Sequence, residues 1–303
     1  ATDNVVSGLT FPTVFAFLPD GRILLGQQDG TIKVFKNGAL LPAPYYTVSN
    51  VNDNNDRGLL GMAVDPSFAS NGRVYISYSW DSDPLNPSGP KTAQVIRVNA
   101  ATPSGDVANP ATKLVLLGSV VGTPASPSCE NFATTADCIP SDGLSHSIGN
   151  LKFGPDGKLY VATGDGASYF SADPLALRTQ SKDRLSGKIL RVNPANGQGL
   201  ADNPFTICNP GCDVNATRSK VWAYGVRNAF RFNFKPGTNV MFSGDVGWDD
   251  WEEINGITPG VNLGWPCYEG NDQQLLYAAF AECVALLPPP GSTTLPIYAA
   301  DHA

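Results

Sequence analysis

A hairpin signature that occurs four times constrains the fold of this chain more than any other feature of the sequence. Each copy has an alternating apolar segment, a turn rich in Pro, Gly or Asn, and a second alternating segment. The copies are VFAFLPDGRILLGQQDG from Val14, LLGMAVDPSFASNGRVYISYSW from Leu59, IGNLKFGPDGKLYVATGDG from Ile148 and AFRFNFKPGTNVMFSGDVG from Ala229. Side chains alternate between the two faces of a strand, so each copy predicts a β-hairpin with one buried face. Unrelated hairpins that share common turn residues are the alternative interpretation.

The alternation predicts which residues form the buried face of two hairpins. In the third copy the predicted buried residues are Leu151, Phe153, Leu159 and Val161. In the fourth copy they are Phe230, Phe232, Phe234, Val240 and Phe242. Pro-Asp-Gly at 19–21 and at 155–157 predicts tight turns, because Pro presets φ and Gly accepts a positive φ.

The overall pattern predicts an all-β chain. Gly (31) and Pro (25) are abundant, which indicates many turns, and helical periodicity is confined to two short candidates, Leu175–Ser181 and Asp272–Val284. Repeated hairpins with long loops between them are typical of a β-propeller, in which small four-stranded sheets surround a channel. We expect residues 1–303 to form one such domain with four or five blades, an incomplete ring.

Charge and hydropathy exclude several classes of function. The net charge is −7 and the pI is about 4.8, so the chain offers no basic face for nucleic acid or for anionic lipid. No apolar run reaches the ~18 residues of a transmembrane helix. A small molecule is therefore the expected partner, and no transmembrane segment is predicted.

The six cysteines form three local pairs in loop-like sequence, Cys129/Cys138, Cys208/Cys212 and Cys267/Cys283. No pair has the Cys-x-x-Cys spacing and none has a neighbouring His, which disfavours zinc. We expect three disulfides, and hence a secreted or periplasmic protein.

Five phrases, in this order, resemble the soluble quinoprotein glucose/sorbosone dehydrogenase family: DRGLLGMAVDPSFASNGRVYISYS, HSIGNLKFGPDGKLYVATGD, DRLSGKILRVNPANG, VWAYGVRNAFRFNF and GDVGWDDWEEINGITPGVNLGWPCYEG. The resemblance implies a six-bladed propeller of four-stranded antiparallel blades that carries pyrroloquinoline quinone (PQQ) and calcium. The same propeller occurs in non-enzymatic relatives such as Hedgehog-interacting protein, so the function must be argued from the site.

Histidine occurs only at positions 146 and 302. A lone His in a loop is often merely solvated, but the resemblance implies that His146 is the general base that takes the proton of a sugar anomeric hydroxyl. It also implies that Asp165 lies beside this base and orients it; a plain turn Asp is the alternative. His302 is expected to fray at the end of the chain, although a similar Tyr-x-x-x-His segment occurs in the family.

The segment around Arg227 is the second candidate cluster. By position alone Arg227 could pair with a surface carboxylate. The resemblance implies that Arg227 stabilises negative charge on the reduced quinone and that Asn228 hydrogen-bonds the quinone edge. It further implies that Asp56, before the Gly-Leu-Leu-Gly phrase, reaches the cofactor or the sugar.

Residues 249–253 contain four carboxylates, and such a cluster favours a hard cation with oxygen ligands. The resemblance implies that the carbonyls of Gly247 and Trp248 hold the calcium next to the quinone. It implies a structural calcium at Glu253 and the carbonyl of Leu263. The EF-hand register is missing, and solvated loop acids are the alternative.

Taken together, these features favour PQQ- and calcium-dependent oxidation of an aldose or related pyranose, with His146 as general base. The alternatives are a non-catalytic propeller that binds carbohydrate or protein and a calcium-dependent lactonase-like hydrolase. The lactonase lacks support because the sequence has no repeated acids at the inner-strand starts. The resemblance implies that the Lys and Arg side chains that clamp the quinone carboxylates follow the segment IYAADHA, so we expect the chain to be C-terminally truncated relative to the family.

Overall fold

The computed structural model describes residues 3–286, 288 and 291–302, and its strands form four antiparallel blades and one small hairpin. Blade 1 contains β1 (Pro12–Phe17), β2 (Ile23–Gln27), β3 (Thr31–Lys36), β4 (Ala39–Leu40) and β5 (Tyr46–Thr47). Blade 2 contains β6 (Leu59–Val64), β7 (Arg73–Trp80), β8 (Lys91–Ala100), β9 (Ala108–Leu117) and β10 (Ile139–Ser141). Blade 3 contains β11 (Ile148–Phe153), β12 (Leu159–Thr163), β13 (Lys188–Val192) and β14 (Val221–Tyr224).

Blade 4 is completed by a strand from the end of the chain. It begins with β15 (Arg231–Phe234), β16 (Met241–Asp245) and β17 (Trp251–Ile257); the separate hairpin β18 (Tyr268–Glu269) and β19 (Asp272–Gln273) follows, and β20 (Tyr298–Asp301) then pairs with β17. The prediction of an all-β propeller with antiparallel blades is therefore confirmed; the described residues form four blades, of which blades 3 and 4 have four strands and blades 1 and 2 carry a fifth, short strand.

The blades lie side by side around a central cavity. The inner strands follow one another in the order β1, β6, β11 and β15, and they line an open cavity of about 900 Å³. The core is divided among the blade interfaces: one apolar cluster fills the space between blades 1 and 2, a second lies between blades 2 and 3, and a third between blades 3 and 4. Each fully buried Leu, Ile or Val contributes ~1.5–3 kcal/mol, so the packing of blade on blade fixes the positions of the loops at their ends.

The predicted face of the third hairpin is confirmed: Leu151, Leu159 and Val161 are buried and Phe153 is half-buried. Leu151 pairs with Val161 and Phe153 with Leu159, so all four side chains share one face. The turn glycine of this hairpin, Gly157, has a φ of 70°, as the Pro-Asp-Gly sequence predicted.

The predicted face of the fourth hairpin is wrong. Phe234 pairs with Met241, whereas Phe242 pairs with Asn233, so Phe242 and Phe232 lie on opposite faces. The turn between Phe234 and Met241 is one residue longer than the turn of the third hairpin, and one extra residue reverses the facing of every later side chain. Two members of the predicted face, Phe230 and Val240, are exposed.

The helices are short. They are α1 (Phe68–Asn71), α2 (Ala281–Val284) and three 3₁₀ segments, Cys129–Asn131, Pro174–Gln180 and Thr217–Lys220. The candidate helix near 175–181 is confirmed as a 3₁₀ segment whose N-cap is Asp173. The candidate at 272–284 is wrong for most of its length, because the β18–β19 hairpin and an aromatic cluster around Tyr277 take its first half.

Three disulfides join the cysteines as the local pairs predicted: Cys129–Cys138, Cys208–Cys212 and Cys267–Cys283. Within the described residues, none of the helices has the length and apolar character that a membrane span requires.

Candidate active site

Loops from three blades meet in one cleft of about 250 Å³ at one end of the propeller. The segment before β6 contributes Asp56, the loop before β11 contributes His146, and the connection between β14 and β15 contributes Arg227. The remaining lining residues are Ser145, Tyr169, Val246, Gly247, Trp248, Asp249 and His302. Five of the residues singled out in the sequence therefore line the same space: Asp56, His146, Arg227, Gly247 and Trp248.

His146 has an unusual backbone conformation. Its φ is 54°, which costs a non-Gly residue energy unless the surroundings enforce it. The surroundings do so: the carbonyl of His146 accepts a hydrogen bond from the amide of Gly166 at 2.9 Å, and a Cβ on Gly164 would meet that carbonyl at 2.1 Å. Only glycine at position 164 permits this approach, so the segment that follows β12 also fixes the His146 backbone.

Asp165 stands directly behind the His146 ring and is fully buried. Its Oδ1 lies 3.3 Å from Nδ1 of His146, at an angle too oblique for a hydrogen bond, so the contact is electrostatic. Its Oδ2 accepts a hydrogen bond of 2.8 Å from the indole Nε1 of Trp265, and the amide of Ala167 donates to Oδ1 at 3.0 Å. Burial alone would raise the pKa of Asp165, but the neighbouring His146 and Arg227 outweigh it and the pKa is lowered. The carboxylate is thus held ionised beside the imidazole.

Arg227 supplies positive charge to the cleft. Its Nη1 donates to the carbonyl of Val246 at 3.0 Å and to the carbonyl of Gly247, and its guanidinium lies 5.4 Å from the ring centre of Trp265. The buried Nε of Arg227 has no acceptor among the described residues. No other Lys or Arg of the described chain lines this cleft.

Two other predicted site residues, Asn228 and Asp56, differ in their position relative to the cleft. Asn228 is half-buried and does not line the cleft; its amide donates to Asp245 and its carbonyl accepts from the amide of Val246. Asp56 is exposed on the cleft wall. The structure therefore brings Asp56, but not the Asn228 side chain, to the space beside His146.

A second, small cavity of about 10 Å³ lies beside the cleft, large enough for one water molecule or one ion. Its lining includes the carboxylates of Asp245, Glu253 and Glu269, together with Leu263. Burial and repulsion by Glu253 raise the pKa of Asp245 to about 8, and burial likewise raises the pKa of Glu253. Such crowding of buried acids is relieved by a proton or by a cation.

The carboxylates of this cavity already accept hydrogen bonds. Both oxygens of Asp245 accept backbone amides, from Arg227 and Asn228, and Glu253 accepts from the Asn255 side chain at 2.8 Å and from the amide of Gly270. No group of three or more His, Cys, Asp or Glu side chains in the described part of the chain is spaced to hold a metal ion. A calcium ion here would therefore need backbone carbonyls, such as that of Leu263, besides Glu253.

The sequence and the architecture of the chain are similar to those of known proteins. The family described as Glucose / Sorbosone dehydrogenase matches residues 9–277. The chain belongs to the glucose/sorbosone dehydrogenase family. The resemblance drawn from the five sequence phrases is confirmed.

Proteins similar to the chain include the HIPL2 protein of Arabidopsis thaliana, 32% identical over 81% of the chain and 37% of the relative. The aldose sugar dehydrogenase of Escherichia coli K12 is 28% identical over 85% of the chain and 59% of the relative. The solved PQQ-bound form of aldose sugar dehydrogenase from Streptomyces coelicolor is 27% identical, with a TM-score of 0.67 over 99% of the chain and 70% of that structure. The chain thus spans between about a third and three fifths of the length of these curated relatives.

Sequence reasoning on this member of the glucose/sorbosone dehydrogenase family missed the residues that hold the site in place. Arg57 is fully buried and donates to the carbonyls of Ser141 at 2.7 Å and Gly143 at 2.9 Å, which fixes the loop that leads to His146. Its place in the DRGLLG phrase was the available signal.

Glu269 holds the opposite wall of the cleft. Its Oε1 accepts the amides of Trp248 at 2.6 Å, Asp250 at 3.2 Å and Trp251 at 3.0 Å, so one buried carboxylate organises the acidic loop. Trp265 and Glu269 both come from the GWPCYEG phrase. The sequence could not show that these side chains cross to other loops, because the contacts span up to 100 residues.

His302 was expected to fray, and this expectation is wrong. The residue follows β20 directly, and its amide donates to the carbonyl of Asp250 at 3.1 Å. Pairing of β20 with β17 therefore carries the second histidine of the chain into the cleft.

Proposed function

We propose that the protein oxidises an aldose or related pyranose with PQQ as cofactor, His146 acting as general base. The observation that carries the proposal is the meeting of His146, Asp165 and Arg227 at one cleft in a chain of the glucose/sorbosone dehydrogenase family. The structure similar to this chain that was solved in a PQQ-bound form supports the choice of cofactor. PQQ supplies, when bound, an acceptor for the two electrons of the sugar.

The residues of the cleft fit this chemistry. His146 would take the proton of the anomeric hydroxyl at Nε2, because its Nδ1 lies 3.3 Å from the Asp165 carboxylate, which would stabilise the imidazolium that forms. Arg227 would bind an anionic group of the quinone; the unpaired buried Nε shows that its donors are not saturated by the protein. Trp248 lines the cleft and would limit the space left for the sugar.

Calcium is part of the proposal at two places, with unequal support. Glu253, the carbonyl of Leu263 and the crowded acids of the small cavity beside the cleft offer the oxygen ligands that a hard cation prefers, although the Arg227 guanidinium also lines the cavity. The carbonyl of Gly247 is less suited to hold a second ion, since it accepts a hydrogen bond from the Arg227 guanidinium. A calcium at Gly247 and Trp248 would lie close to the Arg227 guanidinium, and the two positive charges would repel each other.

Location follows from the disulfides. Three of them join loops of this chain, and such bonds persist in oxidising compartments. We propose that the protein is secreted or periplasmic.

The test uses the protein expressed from its complete reading frame. The apoprotein with PQQ and Ca²⁺ should reduce an artificial dye in the presence of an aldose, and NAD should be inert because the sequence contains no G-x-G-x-x-G unit between a strand and a helix. His146→Ala should lower turnover by about 10²- to 10⁴-fold while PQQ binding, followed by absorbance titration, stays nearly unchanged.

Arg227→Ala should weaken both PQQ binding and turnover. Arg218→Ala is its matched control, because Arg218 forms an ion pair with Asp183 outside the cleft and should leave both values unchanged. A protein with no affinity for PQQ would contradict the proposal and would favour a binding propeller instead.

A further inference from the structure

His302 and Glu252 form a polar pair at the cleft that the proposed chemistry does not use. The Nδ1 of His302 lies 2.6 Å from Oε1 of Glu252, and the other carboxylate oxygen of Glu252 accepts the amide of Gly247 at 3.3 Å. The His302 side chain keeps 30% of its surface exposed. The ring is therefore anchored at one nitrogen, and none of the described residues hydrogen-bonds the other.

The hydrogen bond at Nδ1 of His302 determines the hydrogen-bonding role of Nε2. A carboxylate oxygen accepts hydrogen bonds, so in this pair Nδ1 carries the proton, and in that tautomer Nε2 is a hydrogen-bond acceptor. A sugar hydroxyl can donate to such a nitrogen. No described residue hydrogen-bonds His302 through Nε2, whereas its backbone amide and Nδ1 are both held.

The position of the pair is set by the fold and not by a flexible tail. Glu252 lies in β17 opposite Ala300 of β20, and the pairing of these strands ends at Trp251 and Asp301, one residue before His302. His146 reaches the cleft from the loop before blade 3 and His302 from the strand that completes blade 4. A molecule whose reacting carbon lies at His146 would thus meet His302 with another part of its ring.

The charges around the cleft limit the class of sugar. The lining carboxylates are Asp56 and Asp249, Glu252 stands behind His302, and Arg227 is the cation available to the cofactor. A carboxylate on the sugar would be repelled by these acids. A neutral pyranose avoids this cost.

We propose that His302 is a specificity-determining residue that binds one ring hydroxyl of a neutral pyranose through Nε2, with Glu252 as its positioning residue. The proposal rests on the proposed sugar oxidation and names the part of the site that selects the substrate. It leaves the proton transfer to His146.

The test compares a good aldose substrate with its mono-deoxy analogues in the wild type and in His302→Ala. We expect His302→Ala to raise KM about tenfold with kcat within about threefold, since the contact contributes to binding and not to the reaction step. The wild type should discriminate against one deoxy analogue in particular, and the variant should no longer do so. Glu252→Gln should give a smaller increase of KM, and His302→Gln, which keeps an acceptor, should restore part of the affinity.

A second readout does not depend on turnover. Calorimetry with a 1,5-anhydro sugar, which lacks the anomeric hydroxyl and cannot be oxidised, should show weaker binding to His302→Ala than to the wild type. Asp301→Asn, an exposed neighbour in the same strand, is the control and should bind normally with an unchanged melting temperature.

Three results for His302→Ala would overturn the inference: an equal increase of KM for all analogues, a fall of kcat alone, or unchanged binding of the anhydro sugar. Failure of the wild type to oxidise any aldose would instead overturn the proposed function, and the anhydro-sugar titration would still decide whether His302 binds a sugar.

Discussion

Replacement of Trp265 by Phe tests the support of the cleft most directly. The indole Nε1 donates the only described hydrogen bond to Oδ2 of Asp165, at 2.8 Å, and Asp165 is 1% exposed. The variant keeps an aromatic ring but leaves half of a buried carboxylate without a donor. Hydrogen bonds to charged groups contribute ~1.5–3 kcal/mol, and the smaller ring adds the free-energy cost of a cavity.

Two comparisons isolate the hydrogen bond from the cavity. Trp251→Phe is a matched control, because its indole donates to Asp272 at the same distance of 2.8 Å in an exposed pair, where we expect a loss of at most ~1 kcal/mol. A double-mutant cycle of Trp265→Phe with Asp165→Ala removes the cavity contribution and should return a coupling energy of ~1.5–3 kcal/mol.

The assay is chemical denaturation with the free energy of unfolding obtained by linear extrapolation. A coupling energy below ~0.5 kcal/mol would refute the reasoning, because the bond would then contribute too little to hold Asp165. Equal losses of unfolding free energy in Trp265→Phe and Trp251→Phe would indicate that ring size alone causes the destabilisation.

Three further outcomes are expected. The pKa of Asp165 is lowered in the folded state, so its ionisation stabilises the fold above the ordinary pKa, and this contribution is lost as pH falls through the folded value. In Asp165→Asn the free energy of unfolding should therefore fall less steeply with decreasing pH below about pH 4, and an unchanged pH dependence would contradict the assignment. Removal of the Cys267–Cys283 bond, which closes a loop with a sequence separation of 16, should lower the free energy of unfolding by about 3 kcal/mol, and non-reducing peptide mapping should recover this pair and no mixed one. A calcium chelator should lower the melting temperature by several degrees, and Glu253→Gln should reduce this effect. A melting temperature that does not respond to the chelator would mean that the acids of the small cavity beside the cleft share a proton instead.

The strands could be predicted from sequence because their determinants are local. Alternation and Pro-Asp-Gly turns place Leu151 opposite Val161 without any knowledge of the rest of the chain. The same method fails at Phe242, because the length of one turn sets the parity of the following strand and the sequence of that turn does not reveal its pairing.

The candidate site was only partly predictable for a different reason. His146, Asp165 and Arg227 lie in phrases that resemble the family, so their residue types and order were sufficient to select them. Trp265 and His302 act through contacts with residues about 100 and 50 positions away, and only the assembled blades bring these partners together.

The segment that contains Trp265 and Glu269 supports two walls of the cleft at once. Through Trp265 it holds Asp165 behind His146, and through Glu269 it holds the amides of Trp248 and its neighbours. A displacement of this one segment would act on both walls at once. We therefore expect substitutions in this segment to alter the positions of His146 and of the acidic loop together.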